Sequence, residues 1–371
     1  MFSNDSMSKN MRRPEVTVLM AVFNGERYPR EAIESILEQT FKNFEFIIVN
    51  DGSTDLSCEI LSSYSDSRIR LVDNEQNIGL ACSLNKGLSL ARGEFVARMD
   101  ADDISYPDRL KKQVDFMRAN PAVAVLGTQV AYIDTVGRDI KVFAPRHPVT
   151  PLAAKYTLMF GTPVSHPTVM YRKNLIWEIF KGYDKAYNVS EDTELWCRVG
   201  IDYSIQNLPD VLVAMRVHPQ SVSYDSSHPR RSNHVSMWLK RLPKVVRDIL
   251  GEDTIPEEWV KWWVQIYNFH CHIGKNASLQ LLNGLDRIQE LFVEKYPEAR
   301  SNKEIPKLSA SYKAQVALHL VETERLASTV AFARVIKSDR RIAFLYVPKF
   351  LGLFLLGRWA RKAFRKKPRS K

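Results

Sequence analysis

The sequence has only four cysteines among 371 residues, and no two of them are close enough to suggest a pair. They are Cys58, Cys82, Cys197 and Cys271. Their spacing matches neither a zinc site nor a disulfide framework, which favours a reducing cytosol. The polar residues 1–14 also lack the apolar core of a signal peptide, so nothing indicates secretion.

Glycine-rich nucleotide-binding motifs are missing as well. The sequence has no Walker A motif and no G-x-G-x-x-G, which argues against a P-loop enzyme and against a typical dinucleotide-binding enzyme. An EF-hand calcium loop starting at Asp100 would need glycine at its sixth position, where Ser105 stands.

The formal net charge of +11 is concentrated at the C-terminus. Residues 334–371 contain thirteen Lys and Arg against one acid, Asp339, whereas residues 1–333 carry a net charge of −1. The basic character therefore predicts an anionic partner for the tail alone. No recognition motif for nucleic acid accompanies it, so no nucleic-acid partner is expected.

Short apolar runs alternate with amphipathic stretches in the first half of the chain. Strands are predicted at "VTVLMAVF", "FEFIIVND", "IRLVDN", "GEFVARMDAD" and "VAVLGTQVAYID". The stretches between them read as helices; one has Leu80, Leu84, Leu88 and Ala91 on a single face. The alternation predicts an α/β fold, a mostly parallel sheet flanked by helices.

In such sheets ligands bind beyond the carboxyl ends of the strands. Asn24-Gly25, Asp51-Gly52 and Asp100–Asp103 each follow a predicted strand, so these three loops should converge on one crevice.

Strand signals fade after about residue 225. The stretches that follow are predicted to be helices, and the last of them covers residues 309–336. We predict a flexible N-terminus at 1–14 and a catalytic domain at 15–225. A helical C-terminal region at 226–339 and a basic tail at 340–371 would complete the chain.

Asp100, Asp102 and Asp103 form the most informative cluster. An acidic loop taken alone is more often a solvated surface feature. At the ligand edge of a sheet, however, three carboxylates repel one another and favour a cation. Carboxylate oxygens suit Mg²⁺ or Mn²⁺, and because Mg²⁺ sites also use substrate phosphates, a phosphorylated substrate is implied.

Several stretches together resemble family 2 glycosyltransferases with the GT-A fold. They are "VLMAVFNGERY", "QTFKNFEFIIVNDGSTD", "NIGLACSLNKGLSLARGEFVARMDADD" and "YPDRL", and the resemblance covers residues 15–220. It implies that Asp100-Ala101-Asp102 is the D-x-D element, which binds a divalent cation bridging the diphosphate of a nucleotide-sugar. Asp102 would be the direct ligand, Asp100 would lie near the ribose and metal waters, and Asp103 would support the donor sugar or the loop.

The resemblance also implies nucleotide contacts. Asp51 matches the acid that reads the nucleobase, for example by accepting a hydrogen bond from N3 of uracil. The loop with Ala21, Phe23 and Asn24 would line the base and the ribose. The alternative for Asp51 is turn formation and helix capping, which is the preferred reading for Asp55.

A second acidic pair, Glu191 and Asp192, admits two readings. Ser190 is a natural helix N-cap, and both acids would then stabilise the first helical turn. The family resemblance implies instead that Asp192 is the general base, with Glu191 beside it on the acceptor side. It also implies that His166 and Arg216 border the acceptor side and that His218 helps to bind the metal, although a lone histidine is more often structural.

The apolar run 342–357 is too short to span a bilayer and is followed by a dense basic end. We interpret the tail as a peripheral attachment to an anionic membrane surface on the cytoplasmic side. The alternative is a helix docked on the protein itself.

The predicted function is metal-dependent, inverting transfer of a sugar from a nucleotide-sugar, with UDP as the expected nucleotide, to a hydroxyl of a glycan or lipid-linked acceptor. Bacterial surface polysaccharide synthesis is the expected setting, by resemblance. Three alternatives stay open: a sugar-phosphate nucleotidyltransferase, a metal-free glycoside hydrolase and a non-catalytic membrane-bound scaffold of the same fold.

Overall fold

The computed structural model describes residues 13–141, 146–187, 189–219, 231–251, 255–269, 275–323, 325–339, 341–343, 346–347 and 350. The chain divides into two compact units. The first comprises residues 1–149 and 163–231, and the second comprises 150–162 and 232–371. Residues 150–162, which lie within the range predicted for the catalytic domain, thus belong to the second unit, and the predicted boundary near 225 lies outside the described residues.

The first unit contains an eight-stranded mixed sheet. Its strands are β1 (Val16–Val22), β2 (Phe44–Asn50), β3 (Ile69–Asp73), β4 (Phe95–Met99), β5 (Ile104–Ser105), β6 (Val123–Ile133), β7 (Met170–Arg172) and β8 (Ser204–Arg216). Their order across the sheet is β3-β2-β1-β4-β7-β6-β8-β5. The pairs within β3-β2-β1-β4 and the pair β6–β8 are parallel, whereas β7 and β5 run antiparallel to their neighbours.

Burial explains why the predicted strands form. Phe44–Asn50 is buried at every position, as expected for a strand covered by helices on both faces. Because β8 is parallel to β6, and β6 and β4 both run antiparallel to β7, the carboxyl ends of β1, β4 and β8 share one edge. That edge carries the predicted ligand loops.

Five α-helices flank this sheet: α1 (Pro29–Leu37), α2 (Ser57–Ser62), α3 (Leu80–Leu90), α4 (Arg109–Ala119) and, later in the chain, α6 (Glu191–Asp202). The predicted apolar face of α3 is buried at Leu84, Leu88 and Ala91. Leu80 was predicted on the same face but is 36% exposed, because it is the first residue of the helix and lies at the open edge of the sheet.

The second unit is helical. It contains α5 (Pro151–Leu158), α7 (Arg231–Leu250), α8 (Glu257–Phe269), α9 (Lys275–Lys295), α10 (Ile305–Thr323) and α11 (Arg325–Ser338). The stretch 309–336, predicted as helix, is divided between α10 and α11. Tyr156 of α5 anchors the unit's aromatic core, with its ring 5.1 Å from Phe292 and 5.2 Å from Phe160.

Part of the predicted membrane-surface run docks on this helical unit. Ala343, Tyr346 and Phe350 are buried. The Tyr346 hydroxyl lies 2.9 Å from Oγ of Ser311, and the Phe350 ring stacks on Phe332 at 4.2 Å. For these three side chains the docked alternative is correct, because their apolar surface is already covered by the protein. Residues 351–371 lie outside the described residues, and each helix in the described part of the chain is too short or too polar to cross a bilayer.

Candidate active site

The three carboxylates of the predicted acidic cluster lie together directly after β4. Asp100, Asp102 and Asp103 each offer a carboxylate oxygen, and these oxygens lie within 4.8 Å of one another. Oδ2 of Asp103 is buried and has no hydrogen-bond partner among the described residues. A hard divalent cation fits this set of oxygen donors.

Electrostatics around the cluster favour a cation. Burial raises the pKa of the Asp100 carboxyl; the Arg98 charge opposes this shift, and the Asp102 charge adds to it. Burial also raises the pKa of Asp103 well above its ordinary value, with the charges of Asp100 and Asp102 adding to the effect. A bound cation would relieve this repulsion by neutralising the carboxylates that it contacts.

His218 lies at the same cluster. Its Nε2 is 2.8 Å from Oδ2 of Asp102, and its side chain is 9% exposed. The structure therefore brings together the three residues predicted to bind the metal, namely Asp100, Asp102 and His218. Their role as ligands stays a prediction.

Arg216 lies beneath the acidic loop. Its backbone N–H donates to Oδ1 of Asp103 at 2.9 Å, and its Nε donates to the carbonyl of Asp102 at 2.9 Å. Its side chain is fully buried and pairs with Glu31 of α1 at 2.7 Å. The contacts place Arg216 against the predicted metal loop, and the acceptor-side role expected for it stays a prediction.

Asp51 follows β2 and is buried. Its Oδ1 accepts hydrogen bonds from Asn74 Nδ2 (2.8 Å) and the Ile78 N–H (2.9 Å), and its Oδ2 accepts one from the Gly79 N–H (3.0 Å). A carboxylate offers about four lone-pair positions, and within the described part of the chain a second position on Oδ2 has no donor. Asp51 therefore organises the loop before α3. These hydrogen bonds are compatible with its predicted contact with the base.

Gly52 allows the loop before α3 to approach Asp51 closely. Its φ is +67°, and a Cβ built there would lie 2.4 Å from the backbone carbon of Gln76. Only glycine combines the left-handed conformation with so close a backbone contact.

The predicted base-lining loop after β1 is held in place by the loop after β2. Asn24 has φ of 47°, and its Oδ1 accepts a hydrogen bond from the Thr54 N–H at 2.8 Å. Phe23 is 48% exposed at this edge of the sheet, and Ala21 is partly buried. Asp55 joins the two loops, because its Oδ2 accepts a hydrogen bond from the Glu26 N–H at 3.0 Å. Its Oδ1 accepts one from the Ser57 N–H at the start of α2, a contact that agrees with the turn-forming and capping role predicted for it.

Glu191 and Asp192 open α6. Ser190 occupies the N-cap position, but it adopts a left-handed conformation (φ 69°) and its side chain makes no capping hydrogen bond. The N-cap position predicted for Ser190 is therefore confirmed, with Glu191 and Asp192 in the first turn, but Ser190 does not cap the helix through its side chain. The charge of Asp192 contributes to the raised pKa values of both Asp100 and Glu191.

Glu191 is buried beside His166. Burial raises the pKa of Glu191 to about 8, and the charge of Asp192 adds to the shift. Nδ1 of His166 lies 3.8 Å from Oε1 of Glu191, and its Nε2 lies 2.9 Å from the Tyr183 hydroxyl. Burial lowers the pKa of His166 well below its ordinary value, and the charge of Arg98 adds to this shift. The acceptor-side role predicted for it stays a prediction.

Sequence reasoning missed Arg98, which pairs with Asp100 from the buried interior of β4. A detectable signal existed, because residues i and i+2 of a strand point to the same face and a charged residue inside an apolar strand needs a partner. Tyr28 and Glu31, the neighbours of Arg216, left no such signal, because α1 and β8 are far apart in sequence.

The chain matches known proteins in sequence and in fold. Residues 17–180 match the family model Glycosyl transferase family 2. The chain is similar to the putative glycosyltransferase EpsE of Bacillus subtilis (strain 168), with 40% identity over 190 residues, 50% of this chain and 66% of that protein. It is also similar to the amylovoran biosynthesis glycosyltransferase AmsE of Erwinia amylovora, with 30% identity over 212 residues, 56% of this chain and 78% of that protein.

Solved structures share the fold. S. aureus TarS 1–349 in complex with UDP-GlcNAc superposes with a TM-score of 0.53 at 19% identity, covering 90% of this chain and 92% of that chain. The mannosyltransferase PcManGT from Pyrobaculum calidifontis, in complex with GDP-Man and Mn²⁺, has a TM-score of 0.50 at 18% identity and covers 86% and 87%.

The mixed sheet, its flanking helices and these neighbours show the GT-A fold, as predicted. The chain belongs to glycosyltransferase family 2.

Proposed function

We propose that this enzyme transfers a sugar from a UDP-sugar to a hydroxyl of a glycan or of a lipid-linked acceptor, with inversion at the anomeric carbon. The observation that carries the proposal is the acidic cluster at the sheet edge, where the carboxylate oxygens of Asp100, Asp102 and Asp103 lie within 4.8 Å of one another and His218 contacts Asp102. The charge of Asp192 adds to the raised pKa of Asp100, which supports a role for Asp192 at the same site.

Asp102, Asp100 and His218 would hold Mn²⁺ or Mg²⁺, with Asp103 supporting the loop from its buried position. When bound, such an ion neutralises charge on the departing diphosphate. The Mn²⁺ named with the mannosyltransferase PcManGT, which shares this fold, supports the choice of metal.

Asp192 would act as the general base. An acceptor hydroxyl is a poor nucleophile, so it must lose its proton to a positioned group as the new bond forms. A carboxylate in this role typically contributes about 10²–10⁴-fold to the rate. The neighbouring Glu191, whose pKa is raised to about 8, holds its proton at neutral pH and adds no second charge beside the base. Attack opposite the leaving group inverts the anomeric centre without a covalent intermediate.

The preference for a UDP-sugar rests on Asp51 and on the bound donor of one structural neighbour. The open lone pair of Asp51 can accept a hydrogen bond from N3–H of uracil. TarS, which shares the fold, is described in complex with UDP-GlcNAc.

The proposed setting is the synthesis of a bacterial surface polysaccharide at the cytoplasmic face of the membrane. The name of AmsE, amylovoran biosynthesis glycosyltransferase, supports the pathway class. The eight Lys and Arg within residues 351–371 would attach the protein to anionic lipid.

The test is to measure product release from a panel of nucleotide-sugars, with Mn²⁺ and with EDTA, with and without a bacterial lipid extract. The proposal predicts release of a nucleoside diphosphate that the extract stimulates and EDTA abolishes. Pyrophosphate release from a nucleoside triphosphate and a sugar phosphate would show a nucleotidyltransferase instead. Metal-dependent nucleotide binding without any turnover would show the scaffold.

A further inference from the structure

We propose that Arg216 is the positioning residue of the metal-binding loop and that Glu31 and Tyr28 hold its guanidinium in place. This inference rests on the proposed function, because it assigns a purpose to Arg216 within that site. It concerns residues that do not themselves touch the cation.

Arg216 fixes the loop at two adjacent residues. Its backbone N–H holds the Asp103 side chain, and its Nε holds the main-chain carbonyl of Asp102, each at 2.9 Å. The guanidinium reaches the loop through this bond to the main-chain carbonyl of Asp102. The carboxylate of Asp102 contacts His218 instead, so Arg216 does not occupy it.

The rest of the guanidinium is held from other elements. Nη2 donates to Oε2 of Glu31 in α1 at 2.7 Å, and Nη1 donates to the carbonyl of Asp134 at 3.3 Å. The guanidinium carbon lies 4.5 Å from the centre of the Tyr28 ring, a cation–π distance. The same ring lies 5.3 Å from the ring of His218. One tyrosine therefore supports both Arg216 and the histidine that contacts Asp102.

Charge balance makes this arrangement suited to a metal site. A buried arginine near three carboxylates would ordinarily pair with one of them and compete with a cation. Here the pairing carboxylate is Glu31, whose side chain is 53% exposed, so Arg216 stiffens the loop without occupying a metal ligand. Lysine cannot replace it, because an ammonium lacks the planar fork that reaches several acceptors at once.

The test compares Arg216→Lys with Glu31→Gln in the full-length protein, with Glu38→Gln as the matched control, an exposed acid at the C-cap of the same helix. The first readout is hydrogen exchange of residues 100–105 in the metal-free protein. The second is the Mn²⁺ concentration needed for UDP to stabilise the protein. Mutation of residues that hydrogen-bond to the ligands of a metal site typically lowers metal affinity by about 10–100-fold.

We expect Arg216→Lys to raise exchange across 100–105 and to weaken Mn²⁺ binding by about 10–100-fold. Glu31→Gln, a change at an exposed side chain that should leave folding intact, is expected to shift both readouts in the same direction by less, and Glu38→Gln to shift neither. Unchanged exchange in both test variants would overturn the inference, as would wild-type Mn²⁺ affinity in Arg216→Lys. If the wild-type protein bound no metal–nucleotide complex, the proposed function would fail, whereas the exchange readout would still decide whether Arg216 orders the loop.

Discussion

Nε2 of His218 and Oδ2 of Asp102 lie 2.8 Å apart, although 116 positions separate the two residues in the sequence. Asp102 follows β4, and His218 follows β8. Their contact exists because the sheet brings the ends of these strands to one edge. We propose that this carboxylate and this imidazole act together as ligands of one divalent cation.

Asp102→Asn tests the carboxylate of this pair. Asparagine keeps the size of the side chain but removes its charge, so we expect Mn²⁺-dependent stabilisation by a nucleoside diphosphate to be lost while the protein stays folded. Thermal melting with and without Mn²⁺ measures this. Asp115→Asn, an exposed acid on α4, is the control. Undiminished Mn²⁺-dependent binding in Asp102→Asn would remove Asp102 from the metal site.

Asp192→Asn tests the general base. The variant should bind the donor normally, because the predicted metal loop is intact, but transfer should fall by about 10²–10⁴-fold. Donor binding and turnover are measured on the same preparation. Asp202→Asn, at the other end of α6, should retain both. Turnover near the wild-type rate in Asp192→Asn would leave Asp192 with a structural role at the start of the helix.

The raised pKa of Glu191 predicts a pH dependence of stability. Its pKa is shifted from 4.5 to about 8, mainly by burial. Between these values the folded protein holds a proton that the unfolded chain has released, so the free energy of unfolding should fall as pH rises through this window. Glutamine has no such proton to lose. We therefore expect Glu191→Gln to gain stability relative to the wild type between pH 5 and pH 8.

Chemical denaturation of both proteins across this range measures the difference. Groups that titrate in both proteins cancel in the comparison. A difference in unfolding free energy that stays constant with pH would mean that Glu191 is ionised throughout.

Removal of residues 351–371 tests membrane attachment. The deletion keeps Tyr346 and Phe350, which pack in the helical unit, and removes eight basic residues. We expect the truncated protein to lose binding to vesicles with anionic lipid, while the full-length protein should bind them in a salt-dependent manner. Sedimentation with anionic and with neutral vesicles gives the comparison. Equal binding of both proteins to anionic vesicles would exclude these residues as the attachment site.

Most of the α/β unit was predictable because its signals are local. Apolar runs ending in Asn24-Gly25, Asp51-Gly52 and Asp100–Asp103 mark strands and their loops directly. The antiparallel insertion of β7 between β4 and β6 was not predictable in the same way. It depends on pairings between strands distant in sequence, and three residues of β7 carry little pattern of their own.

The candidate site likewise has one part that could be predicted from the sequence and one part that could not. The carboxylates could be named from the sequence because their clustering is itself costly. The support beneath them could not, because Arg216 meets Glu31 and Tyr28 only after the sheet has formed. Docking of Tyr346 and Phe350 on the helical unit was only the alternative prediction for a related reason: an apolar run has the same composition whether it covers a membrane or a protein core.

The central claim is a metal–diphosphate site at the Asp100–Asp103 loop. It is tested most directly by thermal melting of the purified protein with UDP, GDP, dTDP and CDP, each with Mn²⁺ and with EDTA. A ligand that binds only the folded state must raise the melting temperature. The proposal predicts a rise with UDP that EDTA abolishes. No rise with any of the four nucleotides in Mn²⁺ would contradict it.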